Sequence, residues 1–470
     1  MKGTRTAAAA ILVPDGVGVR NFVLGRFLPL ASQMFDVRLF AGFPAELMPP
    51  TAGEAVEEMP PYREGKAGAL LRYSLQYAHM YRWRTPGMLR VLGEPRHTGW
   101  KSRALHGAAK LAGRLHASGE GIRKLEGRLH SLAANHPLKD HYARRWAELR
   151  PAVVFCTHQR PSIVLPAVLA AREAGIPTAT FIFSWDNLSS KGRIAAPFDH
   201  FLVWSDLMKE ELLRFYPDVA PARVHVVGTP QFDPYADETL LWPREEFFRR
   251  IGAEPGRPLL CYTGGDRSVC PQGPEQLASV LELVRRGAIA RRPQVIFRPV
   301  PTEDGRRYDR VREEYPELIY AQPRWRSGGS DQWFSYVPEA ADVEFWANLT
   351  YHSDVNINVA STVTLDFAIH DKPVVNLAYD MNGKLPFRMP IFDFHYLMDH
   401  YLPVLEFGAA RVARSPEELA AHVNAYLADP SLDREGRRKL VELEVGVPVG
   451  RSSEAVLEAL ARIAGVEVRA

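Results

Sequence analysis

The chain has 470 residues, which is too long for one hydrophobic core and fits two domains of ordinary size. Its 46% apolar and 24% charged residues are typical of a folded globular protein and exclude a disordered chain. A formal net charge of +3 gives no support to nucleic-acid binding, so we expect no nucleic-acid partner.

The cysteines and the hydropathy of the chain predict where in the cell the protein is found. Cys156, Cys261 and Cys270 form no CxxC pair, so we expect neither a zinc site nor a disulfide framework and predict a cytoplasmic protein. The apolar run 7–13 ends in an acidic turn, which favours a first strand over a signal peptide. No apolar stretch approaches the roughly 20 residues of a spanning helix, so any membrane contact should be peripheral, at the inner face.

The N-terminal part opens with a predicted strand over 8–13, a glycine turn that begins at Asp15, and a helix. Strand, glycine turn and helix are the opening of a Rossmann-like half. Residues from about 66 to 150 predict helices instead, and they carry 17 lysines and arginines against 5 acidic residues, a net charge of +12. This basic helical segment predicts either a surface for anionic lipid headgroups or glycans, or a solvated insertion balanced by charge elsewhere.

From residue 151 onward, strands and helices alternate, which predicts parallel sheets. Residues 233–242 are typical of a linker between two such series, and an amphipathic helix over 453–463 could cross back to the first domain. The predicted fold is α/β, with two Rossmann-like domains facing each other across a cleft. The predicted domains are an N-terminal Rossmann-like domain over 1–232 with the insertion at 66–150, a C-terminal Rossmann-like domain over 233–450, and a C-terminal helix within 451–470.

The motif with the most chemistry follows a predicted strand over 355–359. Ser361 and Thr362 come directly after this strand, at the start of a helix whose free backbone N–H groups favour a phosphate. Asp366 lies one turn further along, within reach of a ribose hydroxyl. The alternative is that Ser361 or Thr362 is only a helix N-cap.

Two further signals end predicted strands of the same half. Thr263, Gly264 and Gly265 end the first strand, and the two glycines let backbone amides approach a ligand closely. Arg298 ends the next strand, where a guanidinium suits a pyrophosphate. The alternatives are a simple tight turn and a surface arginine. Because ligands of open α/β sheets bind outside the carboxyl ends of the strands, these positions together predict a nucleotide site.

The order of these motifs resembles the donor half of GT-B glycosyltransferases: a glycine-rich loop, Arg298-Pro-Val-Pro, and Ser361-Thr ahead of a Lys372-Pro-Val-Val strand. Within that class, they are similar to motifs of bacterial Kdo-, sialyl- and glycerophosphate transferases, which typically carry a histidine at the position of Val300. The segment 226–233 resembles the one that closes the N-terminal half in those enzymes and in sugar-nucleotide 2-epimerases. The resemblance implies a nucleotide-sugar donor as substrate and no cofactor.

The acceptor half carries a polar cluster just past a predicted strand, in residues 184–193. It resembles a stretch of surface-polysaccharide transferases, and we expect it to line the cleft. The alternative is a capped loop. The residues predicted to contact the acceptor are Gly16, Gly18, Trp185, Asn187 and Lys191.

Sugar transfer requires a base for the acceptor hydroxyl, and positive charge or dipoles on the leaving diphosphate. We predict Asp15 as the base, because comparable transferases carry an acidic residue before a glycine loop, with His158 and Asp186 as further candidates. The alternative is that Asp15 only shapes an Asp-Gly turn. The sequence has no convincing DxD motif or histidine cluster, so we predict activity without a metal.

Together these features predict a glycosyltransferase of polysaccharide biosynthesis that moves a sugar from a nucleotide-activated donor to a glycan, lipid or other cell-surface acceptor. The basic segment 66–150 is the expected site of any peripheral contact with an anionic membrane. Two alternatives stay open: a sugar-nucleotide 2-epimerase of the same fold, and a non-catalytic protein that binds nucleotide sugars or glycans.

Overall fold

The computed structural model describes residues 7–53, 56–93, 99–303, 305–328, 335–381 and 389–467. Contacts between residues divide the chain into two compact units. Unit 1 comprises Met1–Pro230 and Gly446–Ala470, and unit 2 comprises Gln231–Val445. The chain therefore enters unit 2 near the predicted linker and returns to unit 1 for its last residues.

Unit 1 is built on a sheet of seven strands. In chain order they are β1 Ala8–Val13, β2 Asp36–Ala41, β3 Val56–Glu58, β4 Val153–Cys156, β5 Thr178–Phe181, β6 His200–Val203 and β7 Val224–Val226. Every neighbouring pair is parallel, and the spatial order is β3-β2-β1-β4-β5-β6-β7. Strands β4 and β5 are buried at every position, as expected where helices cover both faces of a parallel sheet.

Helices of unit 1 lie between these strands. They are α1 Gly16–Phe22, α2 Phe27–Met34, α3 Lys66–Trp83, α4 Pro86–Gly93, α5 Trp100–Leu115, α6 Gly119–Ala134, α7 Pro137–Leu149, α8 Leu165–Glu173, α9 Asn187–Ser190 and α10 Asp206–Phe215. Helices α3 to α7 make up the basic segment, which the chain inserts between β3 and β4; residues 94–98 of this segment lie outside the described residues.

Unit 2 has a six-stranded sheet and a separate hairpin. Its strands are β8 Leu259–Thr263, β9 Gln294–Arg298, β10 Ile319–Tyr320, β11 Trp325–Ser327, β12 Tyr336–Pro338, β13 Val355–Asn358, β14 Val374–Leu377 and β15 Arg411–Ala413. The six-stranded sheet is parallel throughout, in the order β10-β9-β8-β13-β14-β15, whereas β11 and β12 form the antiparallel hairpin. Setting the hairpin aside, the six strands follow the order of the first six strands in unit 1.

Helices of unit 2 are α11 Arg244–Ile251, α12 Gly273–Arg285, α13 Asp309–Glu314, α14 Ala340–His352, α15 Val363–Ile369, α16 Ile391–His395, α17 Leu402–Glu406, α18 Pro416–Ala428 and α19 Arg434–Val445. The last helix, α20 Ser452–Ala464, belongs to unit 1 and packs against α2. There the Arg26 guanidinium donates to the carbonyl of Gly450 at 2.9 Å and pairs with Glu454 at 2.6 Å.

Two parallel sheets of seven and six strands confirm the predicted α/β fold with two Rossmann-like domains. The strands that the sequence does not predict are β3, β10, β11, β12 and β15, each only two or three residues long. Runs this short do not show the alternation of apolar and polar residues that predicts a strand. Within the described part of the chain, no helix is long and apolar enough to cross a membrane.

Candidate functional site

In both sheets, strand numbers fall along the sheet up to one strand and rise from its neighbour onward. The place between these two strands is the switch point of the sheet. In unit 1 this switch point lies between β1 and β4, and in unit 2 it lies between β8 and β13. Ligands of open α/β sheets bind at such points, outside the carboxyl ends of the strands. The residues that follow β1 and β4, and those that follow β8 and β13, are therefore the candidates for a site in each unit.

In unit 1, Asp15 and His158 follow the two strands of the switch point and meet there. The backbone N–H groups of Val17 and Gly18 each donate to Asp15 Oδ1 at 3.0 Å, so Asp15 is the N-cap of α1. Its second oxygen, Oδ2, lies 2.5 Å from His158 Nδ1. Both side chains have no exposed surface. Two of the three predicted candidate bases thus form one buried carboxylate–imidazole pair.

The surroundings of His158 keep its imidazole neutral. Its ring stacks on Phe183, with the ring centroids 4.1 Å apart and the planes at 15°. Burial lowers the pKa of His158 from its usual 6.5, the Asp15 carboxylate raises it, and the charge of Arg160 lowers it. A neutral ring that donates from Nδ1 to Asp15 has Nε2 as its proton-accepting nitrogen.

Packing explains the glycine at position 18. Gly16 is the first residue of α1 and is buried. A side chain at Gly18 would collide with the hydroxyl of Thr157 and lie 3.1 Å from a methyl group of Val13. Close packing of α1 on the ends of β1 and β4 therefore requires Gly18, and acceptor contact by either glycine stays a prediction.

Asp186 holds together the turn that follows β5. Its carboxylate accepts hydrogen bonds from Asn187 Nδ2 and Ser190 Oγ, both at 2.9 Å, and pairs with Lys191 Nζ at 3.3 Å. Trp185 is 2% exposed. Asp186 occupies the N-cap position of α9 but makes no side-chain capping hydrogen bond, so its partners are side chains of the same turn. The proposed contacts of this loop with an acceptor stay predictions.

Gln159 is a residue of this site that the sequence does not single out. Its Nε2 donates to Asn187 Oδ1 at 2.9 Å, and its Oε1 accepts from the backbone N–H of Phe183 at 3.0 Å. Gln159 is buried and follows His158 directly. It therefore fixes the loop after β4 to the loop after β5. The loop after β5 carries Phe183, whose ring stacks on His158.

In unit 2, a ladder of buried asparagines crosses the sheet below the switch point. Asn376 Nδ2 donates to Asn358 Oδ1 at 2.7 Å, and Asn358 Nδ2 donates to Asn356 Oδ1 at 2.7 Å. Asn356 Nδ2 donates in turn to the carbonyl of Cys261 at 2.9 Å and lies 3.3 Å from Thr263 Oγ1. All three asparagines are fully buried, and the ladder ties β14, β13 and β8 together.

Tyr401 connects this ladder to α15, and Tyr396 contacts the loop after β13. Tyr401 donates to Asn376 Oδ1 and lies within hydrogen-bond distance of Thr364 Oγ1, each at 2.9 Å. The Tyr396 hydroxyl accepts from the N–H of Ala360 at 3.3 Å. Ala360 has a φ of 21°, a conformation that residues other than glycine rarely adopt. The loop is therefore held in an unfavourable backbone conformation by buried polar partners.

Ser361 and Thr362 differ in their side-chain contacts. Ser361 Oγ accepts from the N–H of Val363 at 3.3 Å, whereas Thr362, which precedes α15, makes no capping hydrogen bond. Both side chains are half-buried. The capping alternative thus describes Ser361, and phosphate binding by the pair stays a prediction.

The glycine loop after β8 is closely packed. An added Cβ at Gly264 would lie 3.0 Å from the ring of Phe297, and one at Gly265 would lie 2.9 Å from Cys270 Cβ. Thr263 is nearly buried. Packing alone accounts for both glycines, so their predicted approach to a ligand stays a prediction.

Arg298 is engaged by a partner that the sequence does not reveal. Its Nη2 donates to both carboxylate oxygens of Asp342, on α14, at 2.8 and 2.7 Å. Asp342 also accepts from the N–H of Arg324 and from Trp325 Nε1, each at 2.8 Å. The Arg298 and Asp342 side chains are 6% and 7% exposed. This ion pair fixes the end of β9 to α14, and a pyrophosphate contact of Arg298 stays a prediction.

Asp366 is likewise buried, at 2% exposure. Its Oδ1 accepts from the hydroxyl of Tyr235 and from Trp346 Nε1, the latter at 3.3 Å. The Trp346 ring also lies 5.8 Å from the Arg298 guanidinium carbon. Trp346 of α14 therefore lies against two of the predicted donor-binding residues, Arg298 and Asp366, while a ribose contact of Asp366 stays a prediction.

Among the described residues, no group of three or more histidine, cysteine, aspartate or glutamate side chains could hold a metal ion. The three cysteines are unpaired and buried, and burial raises the pKa of the Cys156 thiol to about 12. The predicted lack of a metal requirement stays a prediction for activity measurements.

The sequence matches no known family profile and no curated protein. Similar solved structures are a putative UDP-N-acetylglucosamine 2-epimerase from Listeria monocytogenes (12% identity, TM-score 0.56, 99% of this chain and 98% of that one) and a second UDP-N-acetylglucosamine 2-epimerase (12%, 0.53, 99% and 98%). A third is the Neisseria meningitidis UDP-GlcNAc 2-epimerase bound to UDP-GlcNAc (10%, 0.50, 97% and 99%). These likenesses establish the fold, and the resemblance to Kdo- and glycerophosphate-type transferases stays a prediction.

Replacing Arg298 by methionine should destabilise the protein by about 3–5 kcal/mol, because it leaves the Asp342 carboxylate buried without its cation. The double variant Arg298→Met/Asp342→Leu should be more stable than Arg298→Met alone, since it removes both charges. Urea unfolding of the two variants and the parent checks this. Equal stability of the single variant and the parent would contradict the structural role given to the pair.

Proposed function

We propose that this protein is an enzyme that acts on a nucleotide sugar, with His158 as the general base. The observation that carries the proposal is the buried Asp15–His158 pair at the switch point of unit 1. Asp15 holds Nδ1 of the ring, and burial lowers the pKa of His158 so that the ring is neutral at neutral pH. A neutral, oriented imidazole is the side chain most often used for proton abstraction in enzymes.

The nucleotide is proposed to bind to unit 2, at the switch point between β8 and β13. Support comes from the loop 360–362, where two half-buried hydroxyls precede α15, and from the Tyr396 hydroxyl, which accepts from the N–H of Ala360 in this loop. Backbone N–H groups at the start of a helix suit phosphate oxygens. The loop is therefore ordered before the ligand arrives, which lowers the entropy cost of binding.

The favoured reaction is 2-epimerisation of the sugar on a nucleotide such as UDP-GlcNAc. Its support is the similarity in fold to UDP-GlcNAc 2-epimerases along almost the whole chain, including one structure bound to UDP-GlcNAc. Inverting the configuration at C2 requires that the proton there is removed. Because no carbonyl lies beside C2, the C–H electron pair forms a C1–C2 double bond while the C1–O bond to UDP breaks. UDP then adds back at C1 as C2 takes a proton on the opposite face. His158 is the proposed acceptor of the first proton.

Glycosyl transfer is the second candidate, and the basic segment of unit 1 favours it. The net charge of +12 over residues 66–150 suits an anionic acceptor, for which an epimerase has no need. In this reaction His158 would take the proton of the acceptor hydroxyl, and the diphosphate would leave from the anomeric carbon.

Incubating the protein with UDP-GlcNAc in D2O distinguishes the two reactions. Epimerisation should yield the 2-epimer with deuterium at C2, because the returned proton exchanges with solvent; transfer should release UDP only with an acceptor and leave C2 unlabelled. Proton NMR measures both. His158→Gln should lower turnover by about 10²–10⁴-fold. If neither UDP-GlcNAc nor any of a panel of nucleotide sugars is converted, the proposal is wrong.

The pH dependence tests whether His158 itself accepts the proton. A base is active when neutral, so kcat/KM should fall only as pH drops below the lowered pKa of His158, beneath the usual 6.5. Asp15→Asn removes the charge that raises this pKa, so the acidic limb of the pH profile of kcat/KM should move to lower pH. Arg160→Gln is the matched control, because it removes a charge that lowers the pKa and should move the limb to higher pH.

The acidic limb of kcat/KM should shift in opposite directions in the two variants if His158 is the base. It should not shift if the Asp15–His158 pair is only structural. A His158 that only stabilises the fold would lower the yield or stability of both variants without moving the acidic limb of kcat/KM. An unchanged limb in both variants, or shifts in the same direction, would contradict the assignment of His158.

A further inference from the structure

Helix α5, Trp100–Leu115, is packed into the basic segment along one face only. His106, Ala109 and Gly113 lie on its buried face. The backbone at Gly113 touches α3, since an added Cβ would lie 2.7 Å from Tyr77 Cβ and 2.9 Å from the N of Ala78. This face is fully used by helix packing, so α5 is rigidly held.

The opposite face of α5 is apolar and exposed. Trp100, Leu111 and Leu115 are 74%, 64% and 75% exposed, and they are the three most exposed large apolar side chains of the described residues. With Ala104 and Ala108, also exposed, they fall within a sector of roughly 80° at 3.6 residues per turn. A soluble helix that only covers a core has one apolar face, whereas α5 has two.

Cations flank this exposed face. Lys101, Arg103 and Arg114 are exposed, and α5 contains no acidic residue. In the part of the chain that the structure describes, no carboxylate forms an ion pair with any of the three. Exposed apolar side chains bordered by cations match the interfacial region of an anionic bilayer, where headgroups carry negative charge above an apolar layer.

We infer that α5 is a membrane-docking helix, which lies on the surface of an anionic phospholipid bilayer and inserts Trp100, Leu111 and Leu115 among the headgroups. A second copy of the chain is a poorer occupant, because pairing this face with itself would bring the cations of two copies together. The inference goes beyond the proposed function and is independent of it, since conversion of a water-soluble nucleotide sugar needs no membrane.

Co-sedimentation with vesicles of phosphatidylcholine, with and without phosphatidylglycerol, tests the docking. At low salt the protein should bind the vesicles that contain phosphatidylglycerol. The triple variant Trp100→Ser/Leu111→Ser/Leu115→Ser should lower the partition coefficient by about 100-fold or more, because three apolar groups no longer leave water. The matched control Met389→Ser/Leu397→Ser removes exposed apolar side chains of unit 2 and should bind like the parent.

Two further measurements separate insertion from simple charge attraction. Changing Lys101, Arg103 and Arg114 to glutamine should weaken binding by about fivefold per residue on anionic vesicles and leave binding to neutral ones unchanged. Brominated phospholipids should quench fluorescence in the parent more than in Trp100→Phe. All of these side chains are exposed, so circular dichroism of each variant should match the parent.

The inference is overturned if the parent protein does not bind anionic vesicles, or if the triple serine variant binds them as well as the parent. It is also overturned if the parent self-associates in solution, the triple variant is a monomer, and neither binds vesicles; α5 would then be a contact between copies.

Discussion

Parallel pairing of all strands in the two main sheets is the constraint on which both candidate sites depend. In such a sheet, strands joined by long crossovers end at one edge, so residues remote in sequence meet there. Asp15 and His158 are 143 positions apart, and they come together because β1 and β4 are neighbours. In unit 2, β8 and β13 bring Thr263 and the loop 360–362 to one edge in the same way.

Each site is made rigid by buried polar side chains that form hydrogen bonds or ion pairs with one another. A buried polar group without a partner costs free energy, so every member of such a network restricts its neighbours. The asparagine ladder across β14, β13 and β8 and the Arg298–Asp342 pair at the end of β9 both work in this way. In unit 1, Asp15 serves as helix cap and as partner of His158, which couples the start of α1 to the proposed base.

The sequence predicts the repeated strand–helix pattern well, because buried parallel strands such as β4 are short apolar runs. It also identifies the strand ends, and hence Asp15 and His158 as candidates. It does not predict that the two side chains pair, since this depends on the spatial order of strands. Asp342 is missed for a similar reason: it meets Arg298, 44 residues away, only after α14 docks. The sequence also does not predict that Trp100 is exposed. The periodicity of a helix with two apolar faces does not indicate which face packs against the rest of the domain.

The proposed function requires that a nucleotide binds at the switch point of unit 2. Amide hydrogen exchange can detect this binding when it is followed by mass spectrometry with and without UDP, CDP, GDP or dTDP. We expect one of these nucleotides to slow exchange in peptides that contain residues 360–365 and 263–265, whereas the free nucleoside should have little effect. A nucleotide that binds but protects only other segments, or no binding by any of the four, would contradict the account.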